Sequence, residues 1–185
     1  MQFAPAMINM KYNPDTHKRH TIRLPHYNYA SEGCYFVTLC CADRMSLFGH
    51  IENDTMVLNE YGNIAYNEWL NNANKRKNIE LDEFIIMPNH LHGIITITEN
   101  LNPNDSQTPF YISSNTIGAI IRGYKSAVTR KLAPFLGDKI WQRNYYEHII
   151  RDEKSYEQIA EYIQHNPFTW EKDRFYINIP TIGAD

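Results

Sequence analysis

The chain has 185 residues, 43% of them hydrophobic, with a formal charge of −3 and a pI near 6.2. That length supports one well-buried domain and falls short of two. The mild acidity excludes a uniformly basic nucleic-acid binder, so any such role must rest on local charge, and no run of about 18 apolar residues exists for a membrane span. The three cysteines include an adjacent pair, Cys40 and Cys41, and form no Cys-x-x-Cys spacing, which leaves neither a disulfide framework nor a zinc knuckle. The N-terminus lacks the charged start and apolar core of a secretory leader, so a cytoplasmic protein is expected.

Residues 1 to about 30 carry three prolines and little periodicity, and read as an irregular arm before a single domain over 31–170, with 171–185 as a tail. The continuous apolar run Gly33 to Cys41 has the length of a central strand covered on both faces. Two short runs, Leu47 to Ile51 and Thr55 to Leu58, flank Glu52-Asn53-Asp54 as a hairpin. Asn59 is placed to cap a helix bearing Tyr61, Ile64, Ala65 and Trp69 at helical spacing, which should run out in the polar stretch Asn71 to Asn74. Ile79 to Met87 reads as a strand, turned at Pro88-Asn89 into a second one.

That second strand, His90-Leu91-His92-Gly93-Ile94-Ile95-Thr96-Ile97-Thr98, is rich in β-branched residues. Side chains alternate along a strand, so His90, His92 and Ile94 share one face while Leu91, Ile95 and Ile97 share the other. Two imidazoles side by side are either a divalent-cation pair or two surface or hydrogen-bonded histidines.

A polar segment from Glu99 to Pro109 reads as a loop. Ile117, Ile120, Ile121, Tyr124, Val128 and Leu132 then give one apolar face to a helix over about Ser114 to Leu132. Between Ser106 and Pro134 there are four basic residues, Arg122, Lys125, Arg130 and Lys131, and no acidic one. Such clusters, like Lys75-Arg76-Lys77 and His17-Lys18-Arg19-His20, are either solvated faces or phosphate contacts. Ile140 to Ile150 is read as the last strand, and Asp152 as the cap of a helix over Glu153 to His165, ended by Asn166-Pro167.

The order β, α, β, β, α, β with a hairpin inserted after the first strand predicts an α+β fold: a ferredoxin-like split βαβ antiparallel sheet with helices on one face and a C-terminal tyrosine-bearing helix. The histidine strand falls in the middle of that sheet. Within the last helix, Tyr156, Ile159, Ala160 and Ile163 form the packing stripe, while Tyr162 and Asn166, four residues apart, share a flank of it. A boundary tyrosine of this kind is either a wet amphipathic side chain or a reactive hydroxyl.

Three segments in this order, Leu81 to Gly93, Trp141 to Arg151 and Glu161 to Pro167, together with Ile121 to Val128, resemble the REP-associated tyrosine transposases. These are single-tyrosine HUH transposases, and the likeness spans about Arg19 to Trp170. The resemblance implies that His90, His92 and Asn166 are metal ligands for Mg²⁺ or Mn²⁺ and that Tyr162 is the nucleophile. It also implies that Arg122, Lys125, Arg130, Lys131 and Arg143 meet DNA. The expected activity is cleavage and rejoining of single-stranded DNA, with hairpin structure, through a 5′-phosphotyrosine link. Asn166 stands where insertion-sequence members carry glutamine, which sides with the REP-associated branch. Some relatives are homodimers that exchange the tyrosine helix, so a dimer is open here, and His165 and His148 are candidates for the activating base. A catalytically silent single-strand binder and a metal-dependent hydrolase remain as rival readings.

Overall fold

A computed structural model describes residues 32–98 and 116–177. The predicted arm, the first basic cluster and the polar loop lie outside these residues.

Four strands form the main sheet. They are β1 (Gly33–Cys40), β4 (Ile79–Met87), β5 (His90–Ile97) and β6 (Tyr146–Ile150), in the spatial order β4-β5-β1-β6. Every neighbouring pair is antiparallel. The inserted hairpin, β2 (Gly49–Glu52) with β3 (Thr55–Leu58), stands as a separate two-stranded sheet, and three helices follow as α1 (Glu60–Lys75), α2 (Ile117–Leu136) and α3 (Glu153–His165). This is the ferredoxin-like order, with the histidine strand second from one edge and paired on both sides.

The sheet is buried on both faces by different helices. Tyr35, Val37, Leu39, Leu91, Ile95 and Ile97 pack against Ala65 and Trp69 of α1 and Ile120, Tyr124, Val128 and Leu132 of α2. On the other face Phe36, Ile94 and Ile150 meet Ile163, with Tyr156, Ile159 and Ala160 beside it. The expected pair of helices on one face is therefore present, and α3 covers the opposite one. Thr38 opposes His92 and Cys40 opposes His90 across β1 and β5, and residues opposed in an antiparallel pair point to the same face. Both imidazoles thus face α3.

Gly93, directly after His92, is required on the far face. A methyl added there would stand 2.5 Å from Cζ2 of Trp69, which is itself fully buried. Gly93→Ala is expected to destabilise the fold by about 1–3 kcal/mol through overpacking, read as a lowered urea midpoint with unchanged m-value.

Three local expectations need correction. α1 runs through Lys75, with Asn59 capping as expected by accepting from the Gly62 N–H at 2.9 Å. α2 continues past Leu132 through Pro134 to Leu136. A proline in the last turn removes one backbone donor where only a few bonds remain, and the helix instead ends at Gly137, whose φ is +75°. The last strand covers only Tyr146–Ile150, the preceding stretch meeting β1's end through a single bridge between Cys41 and Trp141. The three cysteines are free. Among the described residues no helix is long and apolar enough to cross a membrane.

Candidate active site

His90 is fully buried, and its tautomer follows from its neighbours. The Asn89 side-chain amine donates to the carbonyls of Arg44 (3.2 Å) and Phe175 (2.8 Å), which turns its amide oxygen toward His90 Nδ1 at 2.9 Å. An amide oxygen only accepts, so Nδ1 carries the proton and Nε2 keeps its lone pair. That Nε2 has no hydrogen-bond partner. His92 is also fully buried, with Nδ1 2.8 Å from Thr38 Oγ1 and Nε2 3.1 Å from the Tyr162 hydroxyl. The two rings lie 4.4 Å apart, edge to face.

From the opposite layer α3 presents Tyr162 and Asn166. Asn166 precedes a proline, yet it keeps helical dihedrals (φ −58°, ψ −41°) and donates its N–H to Ile163. This departs from the usual pre-proline bias to extended backbone, and it leaves Asn166 one turn beyond Tyr162 on the same flank. The Asn166 side chain is fully buried; its Nδ2 donates to Asp173 Oδ2 at 2.8 Å, and its Oδ1 is unpaired. Asn166 lies against the His90 imidazole, where it favours the protonated ring.

Asp173 was not singled out in the sequence, and it ties the site together. Besides Asn166, its Oδ2 accepts from the Tyr162 hydroxyl at 3.2 Å, and its Oδ1 accepts from the Phe175 N–H at 2.7 Å. Ligand atoms of His90, His92 and Asp173 all lie within 4.8 Å of one another, a spacing that could hold a metal ion. It follows a 3₁₀ turn at Trp170–Lys172, in a segment with no periodicity to mark it. Phe175 then covers the histidines, its ring 4.6 Å from that of His90 and 5.9 Å from that of His92.

Burial dominates the electrostatics. It holds His90 down to about 4, against the raising influence of Asp173 and Asn166, and holds His92 well below its usual value with the help of its neighbour His90. Both rings are therefore neutral at pH 7, the form that ligates metals. Tyr162, 40% exposed, is pushed up to about 12 by burial and by Asp173, with Arg174 opposing.

These histidines make stability pH-dependent. Their folded-state pKa values lie below that of the unfolded chain, so as pH falls below about 6.5 the unfolded state takes up protons that the folded state refuses. Stability is full above that pH and is lost on acidification. His90 alone should cost on the order of 2 kcal/mol between pH 7.5 and 5, with His92 adding in the same direction. Urea midpoints of metal-free protein at the two pH values measure this, and His90→Asn should flatten the difference.

The basic residues predicted to meet DNA lie elsewhere. Arg122, Lys125, Arg130 and Lys131 all belong to α2, on the side of the sheet away from the histidines. Lys131 pairs with the buried carboxylate of Glu68 at 2.7 Å, which Lys75 also meets at 3.2 Å; Lys131's hydrogen bond is the main cause holding that carboxyl below its usual value. Lys125 donates to the carbonyls of Gln142 (2.8 Å) and Asn144 (3.0 Å), and burial lowers it to about 8. Arg130 is exposed. Arg122 and Arg143 line a cavity of about 440 Å³ with Lys125, Trp141 and Tyr145. His148 is exposed and His165 Nδ1 pairs with its own helix at the Glu161 carbonyl; among the described residues neither is hydrogen-bonded to Tyr162.

Residues 35–166 match the family model described as transposase IS200-like. The chain belongs to the IS200-like transposase family. An uncharacterized protein of Haemophilus influenzae is 50% identical over 182 residues, covering 92% of this chain and all of that one. A second protein of the same organism, named as a REP-associated tyrosine transposase, is 24% identical over 140 residues, covering 76% of this chain and 73% of its own length. Among solved structures, a REP-associated tyrosine transposase bound to a REP hairpin shares the fold at TM-score 0.57 and 21% identity, covering 80% of this chain and 74% of that one. These relatives support the resemblance to the REP-associated branch, and with it a transposase-like function.

Proposed function

We propose that this transposase cleaves and rejoins single-stranded DNA through a covalent link to Tyr162. The observation that carries the reading is a pair of fully buried acceptors without hydrogen-bond partners, His90 Nε2 and Asn166 Oδ1, on side chains that lie against each other. Burying two acceptors unpaired costs about 1–3 kcal/mol each, and both would be satisfied as ligands of a divalent cation. Two imidazoles and an amide oxygen suit Mg²⁺ or Mn²⁺, with His92 Nε2 as the third donor once Tyr162 moves off it. Such an ion, when bound, supplies Lewis-acid polarisation of a phosphoryl oxygen.

The chain's own groups then define the reaction. With its own hydrogen donated to Asp173 Oδ2, the Tyr162 oxygen accepts from His92 Nε2–H while Thr38 Oγ1–H donates to Nδ1. A bound ion would call for the other tautomer, with Nδ1–H donating to Thr38 and the Nε2 lone pair free, and Asp173 Oδ2 stands ready to take the Tyr162 proton. The Tyr162 oxygen attacks phosphorus, the P–O3′ bond breaks, and the 3′-oxygen leaves as a hydroxyl by taking a proton from water. The 5′-phosphotyrosine conserves the ester for a later attack by a 3′-hydroxyl, which rejoins DNA and frees the tyrosine. Tyr162 and His92 meet within one chain, which supports a nucleophile acting in cis. The relative solved with a REP hairpin supports hairpin-bearing DNA as the substrate, with Arg122 and Arg143 gripping it away from the reacting phosphate.

Incubation with single-stranded hairpin DNA and Mn²⁺, followed by denaturing electrophoresis, is expected to show a protein–DNA adduct that EDTA prevents. Free cleavage products without an adduct would favour a hydrolase. Metal-independent binding without cleavage would favour a silent binding module.

A further inference from the structure

A phosphodiester drawn onto this site brings a negative charge that three neutral ligands do not offset, and Asp173 adds another. The transition state of phosphoryl transfer spreads charge over the non-bridging oxygens, so a cation beside the metal would stabilise it further. The basic residues of α2 cannot supply it from the other side of the sheet, and two of them are already engaged within the protein.

We propose that Arg174 grips the scissile phosphodiester and stabilises its charge during attack by Tyr162. This rests on the function proposed above. Arg174 directly follows Asp173, the residue that holds both Tyr162 and Asn166. Its guanidinium carbon stands 4.6 Å from the Phe175 ring centroid and 5.8 Å from that of Tyr146. Phe175 covers His90, and Tyr146 lies on the same face beside Phe36, which in turn meets Tyr162 edge to face at 6.3 Å. The two rings thus fix the guanidinium over the mouth of the site, next to the histidines and the hydroxyl.

The backbone holds it there as well. Arg44 Nη1 donates to the Arg174 carbonyl at 3.1 Å, and Asn89 Nδ2 donates to the next carbonyl, that of Phe175. Among the described residues the Arg174 side chain has no carboxylate partner, and it is exposed. A stacked guanidinium with its fork of N–H donors free is suited to bidentate capture of phosphate oxygens. Its field already acts on the site, opposing burial and Asp173 in their effect on Tyr162.

The test separates contact from catalysis. Short random-sequence single-stranded oligonucleotides, bound by the Tyr162→Phe protein with and without Arg174→Gln, report the contact. Affinity should fall about tenfold, and the slope of log affinity against log salt should shrink by about 0.7, the value for one single-strand phosphate. Arg174→Lys, which keeps the charge, should retain the slope. With Tyr162 present and hairpin DNA, Arg174→Gln should slow single-turnover adduct formation at least tenfold more than it weakens binding, and lysine should restore the rate only in part, lacking the fork. An unchanged affinity and slope would overturn the proposal, as would a rate loss no larger than the binding loss. Should the wild-type protein form no adduct on any hairpin, the proposed function fails, while the salt slope still decides whether Arg174 meets phosphate.

Discussion

Tyr162→Phe should abolish the protein–DNA adduct while leaving the fold and metal binding intact. The side chain is 40% exposed and lies off the packing stripe of α3, so removing its oxygen leaves no cavity in a core and costs little stability. What it removes is the atom that forms the ester. Among the described residues no other tyrosine oxygen bonds to the histidine pair: Tyr124 is fully buried on the opposite face and donates to the Ala65 carbonyl, and Tyr145 bonds to Glu147. Loss of a covalent nucleophile costs at least about a thousandfold, which on a gel is disappearance of the adduct band. Metal affinity should hold or rise, because no hydroxyl 3.1 Å from His92 Nε2 has to be displaced before an ion can reach it. An adduct in the phenylalanine variant would remove Tyr162 from its role, and weakened metal binding would argue that its hydroxyl is itself a ligand.

Half of this site was readable from local pattern and half was not. Alternation along His90 to Ile97 was enough to put both imidazoles on one face, because strand geometry leaves no other choice. Helical spacing was likewise enough to set Tyr162 beside Asn166 and apart from the stripe ending at Ile163. What no period encodes is which layer each helix takes. The basic residues of α2 and the nucleophile of α3 are both expected to meet DNA, and a sheet separates them. Nor does charge in a sequence reveal its partner: Lys125 closes onto carbonyls and Lys131 onto buried Glu68. Asp173 and Arg174 were least visible of all. They sit in an irregular segment past the helix, positioned by contacts to Asn89 and Arg44 across more than eighty residues of chain.

Asp173 is also where two effects of opposite sign can be set against each other. Its carboxylate disfavours the tyrosinate, so Asp173→Ala should let Tyr162 fall from about 12 toward its ordinary value, visible as a shift in tyrosinate absorbance relative to a Tyr162→Phe control. If ease of ionisation governed the reaction, the variant would be faster. Position argues the reverse. Without Oδ2 the Asn166 amide loses the bond that turns its oxygen inward, Tyr162 loses its proton acceptor, and the segment through Phe175 loses the tie at Oδ1. Loss of groups that orient metal ligands typically costs 10–100-fold, and loss of a proton acceptor about a hundredfold or more. Adduct formation by Asp173→Ala should therefore slow by roughly a hundredfold despite the more acidic tyrosine, with the Mn²⁺ requirement shifted to higher concentration. Asp173→Asn, which keeps the shape without the charge, should recover part of the metal dependence. A variant whose rate and metal dependence both match the wild type would show that the histidines, Asn166 and Tyr162 are held in place without it.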